Sequence, residues 1–118
     1  MTPPDDQTRL QHMLRHAEEA LQFSSGRQRV DLDTDRLLNL ALVRLLEIIG
    51  EAATRVSSSV QAAHAGIPWP QIIGLRNRLI HGYDAVDLDI LWNILQIDLP
   101  PLVSDLRAIV SGFARGNP

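Results

Sequence analysis

The chain of 118 residues contains no cysteine, which excludes a disulfide framework, thiol catalysis and zinc held by cysteine. Only 4% of the residues are aromatic, and no turn dipeptide joins two segments of alternating hydrophobicity, so the pattern indicates no β-hairpin. The lack of cysteine also fits a reducing compartment, and we expect a cytoplasmic protein.

Positive charge is scarce as well. Eleven basic residues stand against 14 acidic ones, and the formal net charge is −3. Proteins that bind nucleic acid over a broad surface are usually basic, so this balance disfavours extended phosphate binding. It remains compatible with a local basic pocket for a phosphate group.

Long apolar runs are missing too. The richest apolar segment, residues 37–49, is interrupted by Asn39, Arg44 and Glu47, so it is too short and too polar to span a bilayer. The first residues are acidic and rich in proline, without a basic segment followed by an apolar one. We therefore expect neither a secretory signal nor a contact with membranes.

Apolar residues instead recur at steps of three and four, the period of an amphipathic helix. This pattern predicts an all-α protein of about five helices in a single domain over residues 1–118. We expect helices at about residues 6–23, from Asp33 or Thr34 to about Val56, from Pro68 or Pro70 to Gly82, after Asp87, and after a cap at Asp98. The ends, residues 1–5 and 114–118, are expected to fray.

The second predicted helix carries more apolar surface than one small bundle covers, so part of it is a candidate subunit interface. Gly50 lies inside this helix, where glycine costs about 1 kcal/mol relative to alanine. We expect Gly50 to let another backbone approach closely.

Polar chemistry is concentrated in one segment, residues 74–83. It contains Arg76, Asn77, Arg78, His81 and the only tyrosine. Arginine presents a fixed fork of donors to a phosphoryl group, and histidine exchanges a proton near neutral pH. These residue types suit cleavage of RNA without a metal, which needs a base, an acid and positive charge beside the developing phosphorane.

One chain offers only one well-placed histidine, so an acid and a base together imply two chains that each provide Arg76 and His81 across a two-fold axis. On an ideal helix these residues lie about 140° apart. Either the helix has loosened by His81, or the groups converge across the dimer. As an alternative, Arg76 and Arg78 form ordinary ion pairs, with Glu47 or Glu51 as partners, and His81 only caps the helix.

Two other features carry less chemistry. His12 and His16 have a spacing that can hold a metal ion, but no third ligand follows at convincing spacing, although Glu19 is nearby. We therefore expect no metal site and no cofactor. Trp69 and Trp92 fit anchors of the core or of an interface better than platforms for base stacking.

The segment Arg76-Asn77-Arg78-Leu79-Ile80-His81-Gly82-Tyr83 resembles the Arg-x4-His-x-Tyr signature of HepT-type toxins in the HEPN superfamily. Further similarity covers about residues 10–109, in the segments 46–53, 67–69, 72–74 and 86–87, at Trp92, and at 98–100. The resemblance implies an up-and-down helical bundle that dimerises around a composite ribonuclease site. Arg76 and His81 would be catalytic, and Asn77 and Arg78 would support them.

The resemblance also implies a partner, a minimal nucleotidyltransferase antitoxin that attaches AMP to the motif tyrosine, here Tyr83. We therefore expect the toxin of a type VII-like toxin–antitoxin pair, a metal-independent endoribonuclease that cuts tRNA or mRNA. The alternative is a catalytically silent binding module that helps a nucleotidyltransferase recognise its substrate. A purely structural bundle is disfavoured by the polar segment.

Overall fold

The computed structural model describes residues 2–83 and 85–114, and this part of the chain is almost entirely helical. In chain order the helices are α1 (Pro4–Ser24), α2 (Asp31–Thr34), α3 (Arg36–Thr54), α4 (Ser58–Ala63), α5 (Trp69–Ile73), α6 (Leu75–Leu79), α7 (Leu88–Asn93), a π-helical turn (Ile94–Asp98) and α8 (Leu99–Ala114). The prediction of an all-α fold is confirmed. The expected fraying of Met1 and of residues 115–118 lies outside the described residues. Within them, no helix is both long and apolar enough to cross a membrane.

The core lies where α1 packs against α3 on one side and α8 on the other. All three helices contribute side chains that are fully removed from water, among them Leu10, Met13, Leu42, Leu46 and Leu106. In α1 and α3 these positions repeat at intervals of three or four residues, so one continuous face of each helix is buried. Full burial of such a side chain stabilises the fold by about 1.5–3 kcal/mol.

The start of α3 differs from the prediction of Asp33 or Thr34 as its cap. Asp35 caps the helix, and its carboxylate accepts a hydrogen bond of 3.0 Å from the backbone N–H of Leu38. The backbone of Asp35 is extended, which separates α3 from the single turn of α2. All three residues are good caps by type, so the sequence did not distinguish them.

The third predicted helix is divided at Gly74 into α5 and α6. The expectation for Gly50 in α3 is confirmed. A Cβ atom on Gly50 would lie 3.1 Å from the carbonyl oxygen of Ile72, at the end of α5. The backbone of α5 thus rests directly on α3, and this contact positions α6 beside it.

The prediction of separate fourth and fifth helices, with a cap at Asp98, is wrong. The chain stays helical from α7 through the π-helical turn into α8, although α8 contains Pro100 and Pro101 in its first turn. At the end of this turn the N–H of Leu99 bonds to the carbonyl of Ile94, five residues back. A wider turn gives room for proline rings, which would otherwise clash with the carbonyls four residues before them.

Candidate active site

The loop that follows α6 carries His81 and Tyr83; we call residues 80–83 and 85–87 the motif loop. Ile80 is extended and forms an isolated antiparallel bridge with Val86. The backbone N–H of His81 donates to the carbonyl of Ala85 at 2.7 Å. Gly82 has a φ of 87°, a left-handed conformation that glycine adopts without strain. The motif loop is therefore a tight reversal of the chain at the end of α6.

Helix α6 ends at Leu79, so the prediction that Gly82 ends it is wrong. The backbone has already become extended before His81. The helical geometry has therefore been lost by His81, as the first explanation for the spacing of Arg76 and His81 requires. The face that Asn77 and His81 would share on an ideal helix is lost as well. Convergence across a dimer, the second explanation, stays a prediction.

Arg76 lies on α6 with 64% of its side chain exposed. Its Nε donates to Glu47 on α3 at 3.3 Å, so the ion pair considered in the alternative interpretation is present. The hydrogen bond to Glu47 comes from Nε, and most of the Arg76 side chain remains exposed. Glu47 thus holds one edge of the group and leaves the outer edge open to an anion.

Arg78 points to a different part of the surface. It forms an ion pair with Asp98 of the π-helical turn at 3.0 Å. Both residues line a cavity of about 410 Å³ between the start of α5 and α8, which does not include Arg76. Asn77 is exposed on α6. The structure therefore does not bring Arg78 together with Arg76.

His81 is exposed over 61% of its side chain, and its Nε2 lies 3.9 Å from a carboxylate oxygen of Asp87. That distance is too long for a hydrogen bond but within the range of an ion pair. The other oxygen of Asp87 accepts from the N–H of Ile90 at 3.0 Å and caps α7. Sequence reasoning missed this neighbour because Asp87 lies six positions after His81, at the far end of a loop.

The exit of the motif loop is fastened to α2 by Arg29. Its guanidinium contacts Asp89 in the first turn of α7 at 2.8 Å and Asp33 at 2.9 Å. The hydrogen bond to Asp89 is the main reason that the pKa of Arg29 lies above its usual range. These contacts hold the end of the motif loop close to the start of α3.

A cavity of about 240 Å³ opens between α3 and the motif loop; we call it the Arg76 cavity. Its lining residues are Arg36, Asn39, Leu40, Val43, Glu47, Arg76, Ile80, Tyr83 and Val86. Tyr83 is fully exposed at its rim. The structure thus brings Arg76 and Tyr83 to one cavity, while His81 lies outside its lining. Sequence reasoning missed Arg36 and Asn39, because they lie about 40 positions before the motif.

The histidine pair and the two tryptophans singled out in the sequence make contacts that stabilise the fold. His16 bonds through Nδ1 to the backbone carbonyl of His12 at 2.7 Å. In the described part of the chain, no group of three or more histidine or acidic side chains is arranged to hold a metal ion. Trp69 is a core residue that donates its indole N–H to the carbonyl of His64, and Trp92 is partly buried.

Comparison with known proteins links this arrangement to one family. A sequence profile described as Ribonuclease HepT-like matches residues 13–109. Two proteins named "Putative RNase" are similar along most of their length. The one from Methanocaldococcus jannaschii is 28% identical over 109 residues, covering 92% of this chain and 100% of that protein. The one from Caldanaerobacter subterraneus is 34% identical over 101 residues, covering 86% and 90%.

A third relative, from Thermococcus cleftensis, is named "Probable ribonuclease HepT". It is 38% identical over 72 residues, which cover 61% of this chain and 66% of that protein. No solved structure matches the chain. The family profile extends from the core helices through α6, the motif loop and most of α8. The chain therefore belongs to the HepT-like ribonuclease family.

Proposed function

We propose that this protein is a metal-independent endoribonuclease whose catalytic residues are Arg76 and His81, and that it acts as the toxin of a toxin–antitoxin pair. The observation that carries the proposal is the hydrogen bond from Arg76 Nε to Glu47, with 64% of the Arg76 side chain still exposed. This leaves a fixed fork of donors directed outward, beside a loop that presents an exposed imidazole. Such a combination suits a phosphodiester.

The proposed reaction uses two histidines. His81 of one protomer takes the proton of the RNA 2′-hydroxyl, and the 2′-oxygen attacks the adjacent phosphorus. The bond from phosphorus to the 5′-oxygen breaks, and this oxygen receives a proton from the partner's His81. The products are a 2′,3′-cyclic phosphate and a 5′-hydroxyl end. Arg76 stabilises the additional negative charge on the phosphorane oxygens.

The mechanism requires a homodimer, and an exposed apolar surface on α3 supports one. Leu37 is 80% exposed, on the same helix that borders the Arg76 cavity but outside the lining of that cavity. An exposed leucine contributes no free energy of burial to the monomer, and a second copy of the chain that covers it would add that contribution. Light scattering at micromolar concentration tests this, and a stable monomer of 13.1 kDa would contradict the two-histidine mechanism.

The proposed control of the enzyme acts through Tyr83, with a minimal nucleotidyltransferase antitoxin as the partner. The phenolic oxygen attacks the α-phosphorus of ATP, pyrophosphate leaves, and the phenolic proton passes to a base of the transferase or to water. Tyr83 is fully exposed, as an acceptor for another enzyme must be, and it shares a cavity with Arg76. The attached phosphate then competes with RNA for the guanidinium.

Intact mass after co-expression with the antitoxin tests this control. The wild-type chain is expected to gain one or more AMP units and to lose its ribonuclease activity, while Tyr83→Phe gains none. A mass increase that persists in Tyr83→Phe would place the acceptor elsewhere.

Cleavage of total bacterial RNA by the purified protein in the presence of EDTA tests the activity. We expect activity in the wild type and in His64→Ala, which removes an imidazole at the end of α4, and a severe loss in His81→Ala. If the wild type is inactive but increases the activity or the selectivity of its nucleotidyltransferase, the protein is the binding module considered above.

A further inference from the structure

The Arg76 cavity contains a second arginine that the proposed reaction does not use. Arg36 is exposed at the start of α3 and forms no ion pair with another described residue. Its neighbour Asp35 does not neutralise it, because that carboxylate caps α3 and pairs with Arg27 at 3.4 Å. A cation in the first turn also opposes the helix dipole, so helix stability does not account for Arg36.

Four of the residues that line the wall of the cavity are aliphatic. Leu40 is 48% exposed there, and Val43, Ile80 and Val86 complete the surface. Tyr83 adds an exposed aromatic ring at the rim. Apolar side chains and aromatic rings of this kind contact the faces of nucleobases in proteins that bind single strands.

Asn39 adds one polar group to this wall. It is 8% exposed, and its amide nitrogen donates to the backbone carbonyl of Leu32 at 3.2 Å. That bond fixes the orientation of the amide. The amide oxygen accepts no hydrogen bond from another described residue. Since the described residues contain no fully buried polar side-chain atom without a partner, this oxygen is accessible to solvent. It is therefore available as an acceptor for an N–H group of a ligand.

These features together match one nucleotide rather than a larger ligand. The volume of about 240 Å³ is below that of pockets that enclose drug-sized molecules, about 300–1,000 Å³. Resting on the proposed ribonuclease function, we propose that the Arg76 cavity is a subsite for the RNA nucleotide next to the scissile phosphate. Arg36 binds the phosphate of that nucleotide, and Leu40 and Asn39 contact its base.

Binding of RNA to a variant that does not cut it tests the role of Arg36. In a His81→Ala background, a short RNA that spans a mapped cleavage site is titrated against the protein. Arg36→Ala is expected to weaken RNA binding about tenfold. The negative slope of log affinity against log salt concentration should also become less steep by about 0.7, the effect of one lost phosphate contact on a single strand. Arg44→Ala is the matched control, since Arg44 is exposed on α3 but does not line the cavity.

Chemically altered RNA tests the same contact without changing the protein. A methylphosphonate removes the charge of one phosphate at a time. We expect a methylphosphonate to weaken binding at the scissile position and at one adjacent position. At the adjacent position it should have no further effect in Arg36→Ala, because the methylphosphonate and the substitution remove the same interaction. Removal of the base at the same position should weaken binding to the protein with Leu40, but it should have no further effect in Leu40→Ala. Ile97→Ala is the control that should keep the effect, since Ile97 is exposed and does not line the Arg76 cavity.

The possible results separate the subsite from the activity. If the wild type cuts RNA but Arg36→Ala binds as tightly as Arg44→Ala and no adjacent methylphosphonate matters, the subsite is wrong and the ribonuclease stands. If the wild type and His81→Ala leave RNA equally intact, the proposed ribonuclease function fails. Light scattering on each variant shows whether weaker binding merely reflects a lost dimer. In that case the methylphosphonate scan of the His81→Ala protein, in which Arg36 is intact, decides.

Discussion

The core between α1, α3 and α8 and the motif loop differ in what holds them. In the core, fully buried side chains such as Leu46 and Leu106 pack against neighbours from several helices. Among the described residues, the motif loop is held by the bridge between Ile80 and Val86, by a few backbone hydrogen bonds and, at its exit, by Arg29. His81 remains largely exposed. Different residues thus stabilise the fold and carry the groups proposed to react. Single substitutions should therefore change either the free energy of unfolding or the rate of RNA cleavage.

The largest expected effect is on catalysis alone. His81→Ala removes the proposed acid and base from an exposed position, so RNA cleavage should fall by about 10²–10⁴-fold. The free energy of unfolding should change by no more than about 0.5 kcal/mol, as is usual for surface substitutions. Cleavage kinetics and urea denaturation on the same sample measure both. A folded His81→Ala protein with full activity would show that the assignment is wrong.

The opposite case is a substitution in the core. Leu46→Ala leaves a cavity among fully buried neighbours and should reduce the free energy of unfolding by about 2–5 kcal/mol. Activity per folded molecule should stay close to that of the wild type, because Leu46 does not line the Arg76 cavity. Urea titration gives the first quantity, and cleavage rates corrected for the folded fraction give the second. A loss below 1 kcal/mol would mean that the core repacks around the gap.

Gly50→Ala should affect both regions. The new Cβ would meet the Ile72 carbonyl at 3.1 Å, and overpacking of this kind costs about 1–3 kcal/mol. Better helix propensity returns about 1 kcal/mol, so a net loss of about 1 kcal/mol is expected. A shift of α5 also displaces α6 and Arg76, so cleavage should fall several-fold. Gly66→Ala is the control, since no atom lies within 4 Å of its added Cβ; equal behaviour of the two variants would contradict the close approach.

The smallest effect is expected at Arg78. Its partly exposed pair with Asp98 stabilises the fold by about 0–1 kcal/mol. Because Arg78 lines another cavity, Arg78→Ala should reduce cleavage less than tenfold, whereas Arg76→Ala should nearly abolish it. Parallel kinetics of the two variants measure this difference. Equal losses would mean that Arg78 reaches the RNA in spite of its pairing with Asp98.

Local rules predicted much of this fold, and their failures have identifiable causes. The periodicity located α1 and α3 to within a few residues, because a buried face must repeat at the helical period. The rules failed at Pro100 and Pro101, which remain inside a helix. There a π-helical turn accommodates the rings, and Asp98, expected as a cap, pairs with Arg78 instead. The choice between these two roles depends on a residue 20 positions away, which no local window includes.

For the candidate site, the sequence by itself determined the residue types and the family, through Arg76, His81 and Tyr83 in one short segment. Only the tertiary structure decided how they are arranged. It turned Arg76 towards Glu47 and Arg78 towards Asp98, and it ended α6 before His81. It also brought Arg36 to the cavity that contains Arg76. The physical reason is that the close approach of α5 to α3 at Gly50 sets the position of α6, and with it which distant side chains surround the motif.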